Sequence, residues 1–409
     1  MVSLTAGESR FSIGDQWKDF DGKPDVLILE PFHDGSHKQL LDTILNEVDG
    51  SRFLMLTMSG KKWHWRARNS GLYFAGIVPR LDSYRVLFAT SVMNLADFIA
   101  LRPEFNRVAK ILYFHENELN YPIVNPKERD FYYGTAQIIS CLVADIVLFN
   151  SGYNLESFLN ATHKHFNMMP DYLPDVSEMV RRIRGKAHVL HFPVKFPVIN
   201  AVPSPESSDR LLHILWPHRW EHDKGGDIFF ECLRQLKKTT RFKVSILGQK
   251  FSEVPEAFIT AREEFKDEIL HWGFLDQKKD YWEVLKKSDV VVSTSLHEFF
   301  GVSMVEAAIA GCFPLCPNRL SYPEIFPKEC LYNTENQLRR RLENFCGKPS
   351  SARNESSKLG ISCRLKANYS AEVLSPIYRA VLGLEKFPGE ETGCILELKN
   401  CVAKLQIHE

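Results

Sequence analysis

The 409-residue chain reads as an α/β protein built from two parallel-sheet domains in tandem. Three observations lead there. Short continuous apolar runs, of the kind a strand buried on both faces requires, alternate with segments of helical period. A break rich in proline and polar residues, Pro193 to Asp209, divides that alternation into two stretches of ordinary domain length. Several apolar runs end in loops carrying glycine beside charged or imidazole side chains, at the strand edge where open α/β sheets hold ligands.

Composition narrows the function classes. A 44% hydrophobic content suits a globular core, and 51 basic residues balance 51 acidic ones. No global field therefore draws the chain to nucleic acid, and any such contact must come from a local patch. The start lacks a basic-then-apolar leader, so no signal peptide is expected. The longest apolar run, Ile138 to Phe149, is interrupted by Asp145 and is too short to span a bilayer. Nine cysteines lie mostly in apolar runs, and Cys312 and Cys316 have no partners at zinc spacing. Core thiols in a reducing compartment are expected, which places the chain in cytosol or nucleus. The sequence holds no G-x-G, no G-K followed by Ser or Thr, and no G-x-S-x-G. Dinucleotide fingerprints, P-loops and hydrolase elbows are thereby excluded.

Residues 1–23 read as a mobile polar leader, whose Asp19-Phe20-Asp21 lacks the rigid support a metal site needs. The first domain is expected over 24–200. Its first strand is Val26 to Leu29, followed by a loop Pro31 to Ser36 and a helix His37 to Val48. Gly35 in that loop permits close approach of a bound group to backbone, or serves the turn alone. Further strands read at Arg52–Thr57, Arg85–Thr90, Lys110–Phe114, Asp145–Asn150 and Ala187–Phe192, with helical patterns between, including Arg129 to Val143. Lys61-Lys62-Trp63-His64-Trp65-Arg66-Ala67-Arg68 interleaves four permanent cations with two indoles. That chemistry grips a nucleic-acid backbone while stacking on an unpaired base; the alternative is core tryptophans with cations reaching out to water. His115 and Glu116 emerge at the carboxyl end of their strand, with Glu118 close behind.

Residues 201–210 form the expected linker, and the second domain covers 211–384. Its first strand, Leu211 to Trp216, runs into a loop where Arg219 and Lys224 precede Gly225-Gly226 and a helix Asp227 to Lys237. Two cations at the mouth of a parallel strand suit a departing pyrophosphate, Arg by its fork and Lys as a point charge. Strands follow at Phe242–Gly248, Ile269–Trp272 and Asp289–Ser293, with helices over Pro255–Phe265 and Tyr281–Lys287. The third strand leads into His297-Glu298-Phe299-Phe300-Gly301-Val302, where Gly301 opens a helix bearing Glu306. A strand–Gly–helix junction presents free backbone N–H groups to a phosphate, and the two flanking carboxylates suit sugar hydroxyls. Beyond it a turn at Tyr322–Ile325, a short strand Leu331–Tyr332, a helix Glu335–Phe345, a polar loop Lys348–Glu355 and a last helix Leu365–Leu384 are expected. That last helix could pack back on the first domain. Residues 385–409 are a tail.

The E-x7-E spacing ahead of A-x-x-G-C-x-P resembles the signature of the retaining glycosyltransferases of family 4, which have the GT-B fold: two Rossmann-like domains facing across a cleft. Phe299 departs from it, standing where that family commonly has glycine. The segments Gly35–Leu40, Lys61–Arg68, Leu112–Asn117, Trp216–Lys224 and His297–Val302 are similar to the tRNA-queuosine α-mannosyltransferase family, over nearly all of Pro24 to Leu384. That resemblance implies GDP-mannose as donor, queuosine at the wobble position of cytoplasmic tRNA(Asp) as acceptor, and retaining transfer without a metal. It implies that His115 and Glu298 meet the sugar, and that Arg219, Lys224 and the N–H groups near Phe300, Gly301 and Val302 meet the diphosphate. Glu306 would hold the ribose, Gly273 the base, and Gly35 a closely approaching group. Lys61, Lys62, Trp63, His64, Trp65, Arg66 and Arg68 would contact RNA. A family 4 transferase acting on a lipid or small acceptor, or a non-catalytic RNA-binding scaffold, are the alternatives.

Overall fold

A computed structural model describes residues 22–121, 130–197, 210–249 and 255–385. The leader through Asp21, the start of the Arg129 helix, most of the linker and nearly all of the tail lie outside them. The chain divides into two compact units: residues up to Pro193 together with those from Ala371 onward, and Val194–Ser370.

In the first unit the elements run β1 (Val26–His33), α1 (Gly35–Ile44), β2 (Phe53–Ser59), α2 (Trp63–Ile77), β3 (Val86–Thr90), α3 (Leu95–Leu101), β4 (Ala109–Phe114), α4 (Phe131–Val143), β5 (Ile146–Phe149), α5 (Gly152–Phe166), α6 (Val176–Arg184) and β6 (Ala187–Val189). All six strands are parallel, in the order β2-β1-β3-β4-β5-β6. β1 lies inside the sheet, Val26 opposite both Phe53 and Val86, so every side chain of Val26–Leu29 is buried. That double burial is why the strand reads as a continuous apolar run. The strand continues through Pro31 to His33, where a loop was expected. Asp34, not a residue nearer His37, then caps the helix by accepting the Gly35 N–H at 2.8 Å. That helix stops at Ile44, short of Val48.

The second unit runs β7 (Leu212–Pro217), α7 (Gly226–Lys237), β8 (Phe242–Leu247), α8 (Glu256–Glu264), β9 (Ile269–Gly273), α9 (Lys278–Lys287), β10 (Val290–Val292), α10 (Val302–Ile309), β11 (Phe313–Pro317), α11 (Tyr322–Ile325), β12 (Leu331–Tyr332), α12 (Glu335–Gly347), α13 (Ser350–Lys358) and α14 (Ile361–Tyr369). Its parallel sheet has the order β12-β11-β10-β7-β8-β9. Two expectations are corrected here. The polar segment from Lys348 is mostly helix α13, which buries only the small side chains Ala352 and Ser356. The single helix expected over Leu365–Leu384 is two, α14 and α15 (Ala371–Val381), parted at extended Ser370. Helix α15 belongs to the first unit, where it packs on α1. There the Tyr378 hydroxyl shares its proton between the carbonyls of Leu190 and His191, at 3.1 and 2.9 Å.

Each strand order reverses once, between β1 and β3 and between β7 and β10. The crevice outside the carboxyl ends at such a reversal is where an open α/β sheet holds its ligand.

Candidate active site

In the second unit, the reversal brings the loop after β7 beside the loop after β10. A short turn, His222–Lys224, is laced to the second loop: the amides of Leu296 and His297 donate to the Asp223 carbonyl, and the Thr294 hydroxyl donates to the carbonyls of Lys224 and Gly225. Gly225 closes the turn at φ +62°, and a Cβ there would stand 2.4 Å from the Thr294 carbonyl oxygen. Only glycine permits that approach. The lacing buries Lys224 and aims its ammonium at three acceptors: the His297 carbonyl at 2.9 Å, Asp223 Oδ2 at 3.0 Å and Glu298 Oε2 at 3.3 Å. Burial opposes the charge on Lys224, yet Glu298 and Asp223 outweigh it and raise the ammonium above its ordinary value. Burial likewise favours protonated Glu298, but the Lys224 ammonium overrides it and holds the carboxyl below the usual range. His218, buried alongside, is pushed down to about 4 by desolvation and by Lys224, so it stays neutral.

Arg219, on the same loop, is half exposed and pairs with Glu221 at 3.2 Å. It therefore retains a reachable guanidinium face, whereas Lys224 is fixed. Gly301 sits at φ +89° ahead of α10, whose N-terminus is capped by no side chain among the described residues. Phe299 and Phe300 are both buried; Phe299 meets the His297 ring edge-on at 4.4 Å, so the substituent that departs from the family glycine turns inward. Glu306 is buried on α10, accepting from the Tyr281 hydroxyl at 2.9 Å, with Lys278 at 3.8 Å. The two carboxylates flanking Gly301 thus have separate partners. Gly273, at φ +110°, ends β9, its carbonyl accepting the Gly248 N–H.

The first unit holds a second cluster at the carboxyl ends of β1, β3 and β4. Glu30 is fully buried and accepts from the Phe32 amide and the Thr90 hydroxyl at Oε1, and from His37 Nδ1 at Oε2, 3.1 Å. His37 Nε2 donates to Glu116 at 3.2 Å. Desolvation opposes the imidazolium, but the two carboxylates prevail and raise it to about 10. His115 stacks on His37 at 3.9 Å and is held well below its ordinary value by burial and by that cation. Its Nε2 is buried with no hydrogen-bond partner among the described residues. Glu30, His37 and His115 offer ligand atoms within 4.8 Å of one another. Both nitrogens of His37 are already taken by carboxylates, so the arrangement fits a clamped imidazolium better than a metal ligand set.

Of the basic stretch, Trp63 to Arg68 form the first turns of α2, and Lys61 and Lys62 precede it with their side chains exposed. Trp65 is 66% exposed, while Trp63 packs edge-on against Tyr133 at 4.8 Å. His64 bonds the Tyr133 hydroxyl, Arg66 the carbonyl and hydroxyl of Ser59, and Arg68 lies over the Tyr133 ring. Trp63 is thus a packing residue and Trp65 an exposed one. Gly35 opens α1 at φ +50° with open space around it.

Sequence reasoning did not single out Glu30, His37, Asp223 or Tyr281. A glutamate inside an apolar strand was the available signal for Glu30, since a buried carboxylate demands partners.

Residues 25–194 match the tRNA-queuosine alpha-mannosyltransferase N-terminal family, and residues 203–330 match glycosyl transferases group 1. The chain is 42% identical over 364 residues to the tRNA-queuosine alpha-mannosyltransferase of Drosophila melanogaster, covering 87% of this chain and 96% of that protein. Among solved structures, sucrose-phosphate synthase from Thermosynechococcus elongatus superposes with a TM-score of 0.66 at 14% identity, covering 88% of this chain and all of that one. Anabaena HepE in complex with UDP does so with a TM-score of 0.63 at 12% identity, covering 88% of this chain and 99% of that one. These likenesses show the GT-B fold. By the extent and identity of the match, the chain belongs to the tRNA-queuosine α-mannosyltransferase family of glycosyltransferases.

Proposed function

We propose that the protein transfers mannose from GDP-mannose, with retention and without a metal, to queuosine at the wobble position of cytoplasmic tRNA(Asp). The observation that carries this reading is the Lys224 ammonium fixed between Asp223 and Glu298 at the strand reversal, in a chain with family similarity along most of its length. In the reaction the bond from the mannose anomeric carbon to the diphosphate breaks, and GDP takes the electron pair. The acceptor hydroxyl forms the new bond on the same face, and its proton passes to the departing phosphate oxygen. Lys224, Arg219 and the amides of Phe300, Gly301 and Val302 offset charge growing on the diphosphate, as preorganised donors do. Glu298 and neutral His115 take mannose hydroxyls, Glu306 the ribose and the Gly273 backbone the base, while Gly35 leaves room for a group to approach. Lys61, Lys62, Trp65 and the exposed edges of His64, Arg66 and Arg68 meet RNA, with Trp63 supporting them.

The test is mass spectrometry of tRNA nucleosides after incubating the protein with GDP-mannose. Mannosyl-queuosine should form from queuosine-bearing tRNA, and no product from tRNA with guanine at that position. Release of mannose to water alone, or product from both tRNAs, would overturn the assignment. Arg219→Ala should lower turnover about 10²–10³-fold, the scale of losing one oxyanion donor.

A further inference from the structure

Beside the His37–His115 cluster, the first unit contains a recess of about 220 Å³, counting the part open to solvent. Its lining includes Trp63, Tyr133, Ser91, Asn94, Gln137 and Glu118. Gln137 ties two of these residues together, accepting the Glu118 amide at 2.8 Å and donating to the Ser91 carbonyl at 3.3 Å. Ser91 in turn donates to the Glu116 carbonyl at 3.1 Å, joining the recess to the cluster that contains His37 and His115. The half-buried Glu118 carboxyl receives no hydrogen bond from any described residue. Burial and the neighbouring Glu116 and Asp130 push that carboxyl up to about 8.

An acid in this position is odd for a surface that meets RNA. Lys61, Lys62, Arg66 and Arg68 stand on the adjacent helix and before it, where they suit phosphate. A carboxyl in the adjoining recess, once ionised, repels phosphate and pairs with a cation. Queuosine supplies one. Its deazaguanine is joined to the cyclopentenediol by a secondary amine, which is protonated near neutral pH.

We propose that this recess is the acceptor-arm subsite, and that Glu118 recognises the secondary ammonium of the modified nucleoside. The assignment rests on the reading of the acceptor given above. Pairing places the diol next to the ammonium, three residues along the chain from His115. It also ionises Glu118, because an adjoining cation favours the carboxylate. Glu118 thus distinguishes modified from unmodified tRNA by charge, and Trp63 and Tyr133 line the same recess.

The test measures binding of three tRNAs that differ only at the wobble base: guanine, 7-aminomethyl-7-deazaguanine and queuosine. Unaltered protein should prefer both amine-bearing bases to guanine by about tenfold or more, the scale of a charge-assisted hydrogen bond. In Glu118→Gln, which keeps the shape and removes the charge, the preference for the aminomethyl base should fall to near one. Retention of the full preference in that variant overturns the proposal. So does absence of the preference in unaltered protein, an arm that needs no variant to fold. If unaltered protein mannosylates queuosine without preferring the aminomethyl base, only the recess assignment falls. If it mannosylates no queuosine, the acceptor reading falls as well.

Discussion

Replacing Lys224 with methionine keeps most of the side-chain length and deletes the charge. The buried carboxylate of Asp223 and the partly buried one of Glu298 then lose the ammonium that sits 3.0 and 3.3 Å from them. At an effective dielectric of about 20, each contact supplies a gross attraction of about 5 kcal/mol. Desolvation cancels much of this, and the net loss on removing one partner of a buried pair is about 3–5 kcal/mol. Urea unfolding followed by tryptophan fluorescence should show that loss as a lower midpoint with an unchanged slope. Neutralising one acid as well, in Lys224→Met/Glu298→Gln, should return part of the stability, since the two sites share one network. Turnover should not return, because the charge facing the leaving diphosphate is still missing; a deficit of about 10²–10³-fold is expected in both variants. Lys224→Met unfolding within about 1 kcal/mol of the parent would refute the buried-pair argument. A double variant that recovers turnover would refute the role assigned to the ammonium.

Three more outcomes follow from the geometry. His37 is raised to about 10 when folded, against 6.5 when unfolded, so its clamp adds stability fully below pH 6.5 and loses it as pH rises toward 10. Thermal unfolding across that window should show the decline in the parent and a weaker decline in His37→Gln; identical slopes would refute the clamp. Lys61→Ala/Lys62→Ala should lower the slope of log affinity for tRNA against log salt by about 1.4, if each lysine neutralises one phosphate of a single-stranded loop. An unchanged slope would move the RNA contact elsewhere. Tyr378→Phe removes the hydroxyl proton shared between the Leu190 and His191 carbonyls and should cost about 1–2 kcal/mol by urea unfolding. A variant as stable as the parent would show that those carbonyls find other donors.

The strands were legible because a parallel sheet covered on both faces demands unbroken apolar runs, as in Val26–Leu29 and Val290–Val292. Helix α13 was not, because it buries Ala352 and Ser356 rather than an apolar stripe. The break at Ser370 was hidden for the opposite reason: Leu365, Tyr369, Leu374 and Tyr378 keep a helix-like apolar spacing across two separate helices. At the site, Lys224 and Glu298 announce themselves at the ends of strands that become neighbours. The Glu30–His37–Glu116 clamp could not be read that way. Its members come from one strand, the helix after it and the end of β4, and Glu116 is 79 positions from His37. Nothing local marks such a pairing, since the sheet order that assembles it is set by contacts distant in sequence.

The nesting of Val194–Ser370 inside the other unit bears on synthesis. A ribosome delivers the inserted unit whole before it delivers α15, whose Tyr378 anchors the strand end at Leu190–His191. The earlier-made half must therefore wait, with the surface that α15 later covers still bare, until the final segment emerges. Any chain stopped before Ala371 would leave that half permanently unsealed, a natural target for chaperones and proteases.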